Sequence, residues 1–251
     1  MRGSAYVAAF PPAARARRAG LAGALCAALA VSLAACSGDP DAGTNGVGKL
    51  SAKEIESKAR TVADSARAVA LSGTLIGKGG SYQLDMRLNT DGGTGSVTSK
   101  SSTFTLLRIG DALYVKAGAG FWKQTDGKNG ADAAGKLDDK YVKVPQRDPA
   151  YQRFRGFTDM HALLGGLLGL QGTLGKGDRT KVGGVPAIRV TGGGGKGGTL
   201  DVSLKGKPYP LRFERAGGAG TVQLTQWNSD VTLVPPGRGD TVDYGRDLPK
   251  S

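Results

Sequence analysis

The chain has 251 residues, with 39% hydrophobic, 6% aromatic and 22% charged side chains, and glycine makes up 42 of them. This composition argues against wholesale disorder, and so much glycine argues against a helical bundle, because each interior glycine costs about 1 kcal/mol against alanine. A single histidine, His161, excludes sites needing two imidazoles, and two cysteines, Cys26 and Cys36, exclude a disulfide scaffold.

Residues 1–20 carry Arg2, Arg15, Arg17 and Arg18 and no acid; Leu21 to Ala35 is uncharged, with Ser32 as its one polar side chain. A basic segment, a short apolar run and small residues before a cut site make a secretory signal. The run is short of the roughly 20 residues a membrane span needs. It ends Leu33-Ala34-Ala35-Cys36, which resembles the lipobox of bacterial lipoproteins. That resemblance implies cleavage before Cys36 and a diacylglycerol on its thiol. The expected anchorage is to membrane lipid, at the outer face of the cytoplasmic membrane, and more than one acyl chain makes such anchorage stable. The plainer alternative is a signal peptide with a chance cysteine. Cys26 lies inside the discarded segment, so the mature chain has no second thiol and must rest on its apolar core. It keeps 30 basic and 21 acidic residues. Anionic wall polymer is thus an electrostatically suitable partner, set against the alternative of a merely solvated surface. Nucleic acid is not expected as a partner: aromatics are few and no recognition motif is present.

Residues 36–50 are rich in Gly, Asp, Asn and Ser and read as a flexible tether spanning roughly 20 Å. A folded domain is expected over 51–235 and a loose polar tail over 236–251. Ser51-Ala52-Lys53-Glu54 fits a capping box, and Ile55, Ala59, Val62, Ala66 and Val69 make one helical stripe. Gly73 ends that helix or begins the first strand. Period-two alternation follows in Tyr82 to Leu88, then in Thr103–Ile109 and Ala112–Lys116 around Gly110-Asp111, a two-residue turn with glycine first. Tyr141 to Val144 is a further strand, closed by Pro145. Residues 157–170 read as an apolar helix capped by Thr158, with Met160, Leu163, Leu164, Leu167 and Leu168 on one face and Gly165, Gly166 and Gly169 weakening it. Strands return at Val185–Val190, Leu200–Leu204, Tyr209–Phe213 and Val222–Leu224, and Val231 to Val234 ends the sheet. Gly192 to Gly198 reads as a floppy hairpin tip. The whole is an α+β chain: one strongly curved antiparallel sheet of about ten strands, with helices on the concave face that all the alternation buries.

Gly110-Asp111-Ala112-Leu113-Tyr114-Val115-Lys116, Phe121-Trp122-Lys123, Tyr141-Val142-Lys143-Val144-Pro145 and Trp227-Asn228 resemble landmarks of the LppX/LprA/LprF/LprG lipoproteins of actinobacteria, which are similar in fold to the LolA carrier. The resemblance covers most of residues 50–235. It implies a half-barrel whose apolar cavity holds acyl chains of a lipid or lipoglycan, for holding or transfer across the envelope, with no shared catalytic residue and no cofactor. The glycine run is a departure from that pattern.

Tyr82, Leu84, Met86, Leu88, Phe104, Leu106, Leu163, Leu164, Leu167 and Leu168 are the candidate cavity set, against the alternative of a plain packed core. A loosely held, glycine-broken leucine helix would move aside and admit a chain. Other motifs carry less. His161 beside Asp159 lacks a marked nucleophile, and Gly130 to Lys136 resembles a phosphate loop but has Leu137 where a hydroxyl is required. Asp85, Asp138 and Asp139 read as surface acids, and Arg238-Gly239-Asp240 as a chance tripeptide. No enzyme is expected. The alternative to a lipid carrier is a non-catalytic envelope protein that binds wall polymer or a partner protein through its basic surface.

Overall fold

Both halves of the Ser51 capping box form: the Ser51 hydroxyl accepts from the Glu54 amide, and the Glu54 carboxylate accepts from the Ser51 amide at 2.9 Å. Helix α1 (Ala52–Asp64) follows and buries Ile55, Ala59 and Ala63. It stops before Ala66 and Val69, which the helical stripe had included. The Ser65 hydroxyl turns back onto the Val62 carbonyl, and Asn228 takes the Arg67 amide. Val69 therefore belongs to the first strand. The computed structural model describes residues 41–77, 80–99, 102–125 and 130–243. The signal segment, Cys36 and residues 244–251 lie outside them. Gly43 begins the unit that carries the sheet and its helices.

Among the described residues, twelve strands form one curved, unclosed sheet. In chain order they are β1 (Ala68–Gly77), β2 (Gly80–Asn89), β3 (Gly92–Ser99), β4 (Ser102–Ile109), β5 (Ala112–Ala117), β6 (Tyr141–Val144), β7 (Leu174–Val182), β8 (Val185–Gly192), β9 (Thr199–Ser203), β10 (Pro210–Glu214), β11 (Gly220–Thr225) and β12 (Thr241–Asp243). Their spatial order is β12-β6-β5-β4-β3-β2-β1-β11-β10-β9-β8-β7, antiparallel throughout except for the parallel β12–β6 pair. Directly opposed residues share a face, so the register traces the core across the sheet. One row runs Val190, Leu200, Phe213 and Val222 to Gly73 and Leu84, then on to Val97, Phe104 and Ala117. A Cβ on Gly73 would lie 2.1 Å from the Thr221 carbonyl oxygen, which is why the row passes through a glycine there.

Five helices cover this face. α1 lies against β7–β10, α2 (Ala119–Thr125) against β4 and β5, and α4 (Pro149–Thr158) against β2–β4. α3 (Gly130–Leu137) packs on α2, and α5 (Met160–Leu167) sits between α1 and α4. The single helix expected over 157–170 is thus two. Thr158 is the last residue of α4, not a cap, and Asp159 caps α5 by accepting from the Ala162 amide at 3.1 Å.

Three other expectations are revised. Val231 to Val234 forms no strand, and β12, inside the expected tail, ends the sheet. Within the expected tether, Val47–Lys49 forms a 3-10 turn with Val47 buried, and Asn45 donates to the Ser203 carbonyl at 2.9 Å. The glycine run is no floppy tip. Gly192, Gly197 and Gly198 are buried, and Gln171 and Gly217 donate to the Gly197 and Lys196 carbonyls. A Cβ on Gly197 would lie 1.9 Å from the Gln171 carbonyl oxygen, so only glycine permits this approach.

Candidate functional site

A cavity of about 540 Å³ lies between the β2–β6 part of the sheet and helices α2 and α4. This falls within the range of roughly 300–1,000 Å³ typical of small-molecule sites. Its floor is Tyr82, Ser99, Phe104, Val115, Val142 and Val144; Phe121 and Trp122 come from α2, and Pro145 closes β6. Asp148 caps α4, and Ala150, Arg153, Phe154 and Phe157 form one stripe of that helix facing the cavity.

The aromatic rings of the wall fall into two groups. Phe104 stands 5.1 Å from Phe121 and 5.4 Å from Phe154, Phe121 meets Trp122 edge-on at 5.1 Å, and Tyr82 is 6.0 Å from Phe157. Such spacings are those of favourable aromatic pairs. The Trp122 indole donates to the Ala117 carbonyl at 3.1 Å, so its polar atom is satisfied and its rings remain as apolar lining.

The wall is held at both ends of α4. At the start, the Asp148 carboxylate accepts from the Ala150 amide at 2.8 Å, and the Tyr151 hydroxyl donates to the Asp111 carbonyl at 3.0 Å. At the end, buried Arg108 reaches up from β4 and donates to the Thr158 carbonyl at 2.9 Å and to the Gly110 carbonyl at 2.8 Å. A cation at a helix C-terminus suits the partial negative charge there. Gly93 provides the room: a Cβ on it would meet Leu88 at 2.3 Å and the Thr158 carbonyl oxygen at 3.4 Å. The Asp159 carboxyl is held below its usual range by the Ala162 amide, with Arg108 and Arg155 adding to the effect.

Of the ten residues chosen from sequence, Tyr82 and Phe104 line the cavity. Leu84, Met86, Leu88 and Leu106 are fully buried core positions on β2 and β4. Leu163, Leu164, Leu167 and Leu168 are packed in the core beneath α5, away from the cavity. Nor is α5 loosely held: Asp159 caps its start, and Arg60 donates to the Leu168 carbonyl at 2.8 Å at its end. Gly165 and Gly166 are exposed on its outer face. The sequence reading missed the α2 and α4 contributions. Their signal was present as Asp148-Pro149, a helix start, followed by Ala150, Arg153, Phe154 and Phe157 at spacings of three, one and three.

His161 is exposed on α5, and Gly130 to Lys136 lies within α3. Asp138 accepts from the Ala119 amide at 2.8 Å, Asp139 pairs with Lys116 at 3.1 Å, and Asp85 is exposed. Among the described residues no three metal-ligating side chains come together, and no helix is long and apolar enough to cross a membrane. Cys36 lies outside the described residues.

No protein-family model and no curated protein matches the chain. Solved structures do. LprF from Mycobacterium bovis superposes with a TM-score of 0.50 at 15% identity, covering 74% of this chain and 96% of LprF. The lipoprotein LppX from Mycobacterium tuberculosis matches at 0.43 and 17%, covering 73% and 98%. A putative outer membrane lipoprotein-sorting protein domain from Vibrio parahaemolyticus gives 0.23 and 10%, covering 74% and 95%. The LprF superposition carries the comparison, and with the open twelve-strand sheet it establishes that this chain has the half-barrel fold of the LppX/LprF lipoproteins.

Proposed function

We propose that the protein is a lipid-anchored carrier, fixed through Cys36 to the outer face of the cytoplasmic membrane, whose cavity holds the apolar chain of a lipid or lipoglycan for storage or transfer in the envelope. The observation that carries this reading is the 540 Å³ space walled by aromatic rings on the apolar side of the sheet. Each methylene removed from water contributes about 0.8 kcal/mol, so about ten of them supply roughly 8 kcal/mol before the losses of ordering the chain. That is enough for useful retention without irreversible capture. The Leu-Ala-Ala-Cys sequence supports the anchor, and the likeness to LprF supports the half-barrel.

The wall-polymer alternative has less behind it. Several outward cations are already paired: Lys116 with Asp139, Lys140 with Asp240, and Arg189 and Arg212 with Asp201.

Native mass spectrometry of the full chain extracted from its membrane tests the proposal. The expected spectrum shows one lipid per chain beyond the mass of the anchor. The substitution Ala150→Trp, which fills the cavity from α4, should remove that lipid and lower the melting temperature by only a few degrees. A wild-type chain with no bound lipid, and none taken up on addition, overturns it.

A further inference from the structure

Arg153 stands in the cavity-facing stripe of α4, between Ala150 on one side and Phe154 and Phe157 on the other. At that spacing an apolar residue would complete the wall. An arginine lays its methylene stem along the rings and carries its guanidinium to the rim. Arg153 is exposed, and it makes no hydrogen bond or ion pair with any of the described residues. Asp148, the other charged lining residue, forms no ion pair with it; one oxygen of its carboxylate accepts from the Ala150 amide at 2.8 Å in the first turn of α4. The other polar lining side chains, Tyr82 and Ser99 among them, are uncharged. The lining is thus mainly apolar, with Arg153 as its one cation and no ion pair holding that guanidinium. A guanidinium binds a carboxylate or phosphate through two parallel charge-assisted hydrogen bonds, an uncharged headgroup accepts only weaker bonds from it, and a cationic one is repelled.

We infer that Arg153 selects the ligand by its headgroup, so that the preferred occupant is an amphiphile whose chain fills the cavity and whose carboxylate or phosphate sits on this side chain. The inference rests on the carrier reading and adds the chemical class of the ligand to it.

Fluorescence titration of the full chain tests it, using cis-parinaric acid and its methyl ester as probes and a monoalkyl phosphate of matched length as competitor. The wild type should bind the acid roughly five- to tenfold more tightly than the ester. Arg153→Gln should remove that difference by weakening the acid alone, and Arg153→Lys should keep most of it. Stronger competition by the alkyl phosphate than by the free acid would assign the headgroup to a phospholipid, and the reverse to a fatty acid; either order supports the inference. Arg153 is bound to none of the described residues, so the melting temperature of Arg153→Gln should match the wild type and separate a headgroup effect from misfolding. Equal binding of acid and ester by the wild type, or an unchanged ratio in Arg153→Gln, overturns the inference and leaves the cavity reading standing. Failure of the wild type to bind either probe overturns both.

Discussion

Arg108 is a buried guanidinium whose hydrogen-bond partners are the Thr158 hydroxyl and the carbonyls of Thr158, Gly110 and Asp91. It closes α4, and one residue later Asp159 opens α5. The Asp159 carboxylate is favoured in the folded chain over the unfolded one, so its contribution is present above about pH 4 and fades as the pH falls through its lowered value. Asp159→Asn keeps an oxygen for the Ala162 amide but loses the charge. Because the group keeps partial access to water, the expected cost is about 0.5 kcal/mol at pH 7. Urea midpoints of the two proteins should differ at pH 7 and converge as the pH falls through the lowered value of Asp159, and a constant difference would show that the charge is not the cause. None of this was readable from sequence. Thr158 and Asp159 are both good cap residues, and only the depth of Gly93 and the reach of Arg108 decide that one ends a helix and the other begins the next.

Among the elements, β2, β4 and β5 were legible because most of their inward residues, such as Leu84, Met86, Leu88, Phe104, Leu106, Leu113 and Val115, are large and apolar and recur at every second position. β3 was not, although it pairs along its full length with both neighbours. Two of its inward positions are Gly93 and Gly95, where a Cβ would strike Leu88 and Met86, so the alternation exists in space but not in hydropathy. The same blindness made the Gly192 to Gly198 segment look loose, since composition does not distinguish a glycine that frees the chain from one that lets two backbones meet. Two substitutions separate these roles. Gly197→Ala forces a Cβ into the Gln171 carbonyl and should cost about 3 kcal/mol. Gly194→Ala, at φ 65° with open space around it, should cost about 1 kcal/mol from backbone strain alone. Thermal unfolding of both checks the order, and equal effects would mean that the segment is not held against Gln171. The cavity was half legible for a related reason. Its sheet residues follow from alternation, but its other wall comes from α2 and α4, which no spacing rule places opposite those strands.

On the scale of the molecule, one side of the sheet is apolar and the other carries its own order. Arg189, Asp201 and Arg212 stand directly opposite one another on β8, β9 and β10. Asp201 is fully buried between the two arginines, with contacts of 2.7 to 2.8 Å to each, and it holds the Arg189 pKa above its ordinary value. Asp201→Asn leaves two cations facing each other across a neutral amide. The arginines keep some access to water, so the expected loss is about 2–3 kcal/mol, readable as a lower denaturant midpoint with an unchanged slope. A loss under 0.5 kcal/mol would show the triad to be ornamental. At the sheet's open edges, β12 is three residues long, and β7 is irregular between Lys176 and Arg179 and rich in charge. Both features discourage a second chain from adding a strand there.

On the carrier reading proposed above, the pinning of α4 at its two ends has a consequence for any guest. A flap hinged on one side would swing wide for cargo of any bulk, whereas a beam clamped at both ends yields only by turning its rings. For a carrier of the kind proposed, such a chamber would be a mould of set dimensions, ranking tails by how well their length and kinks fit it.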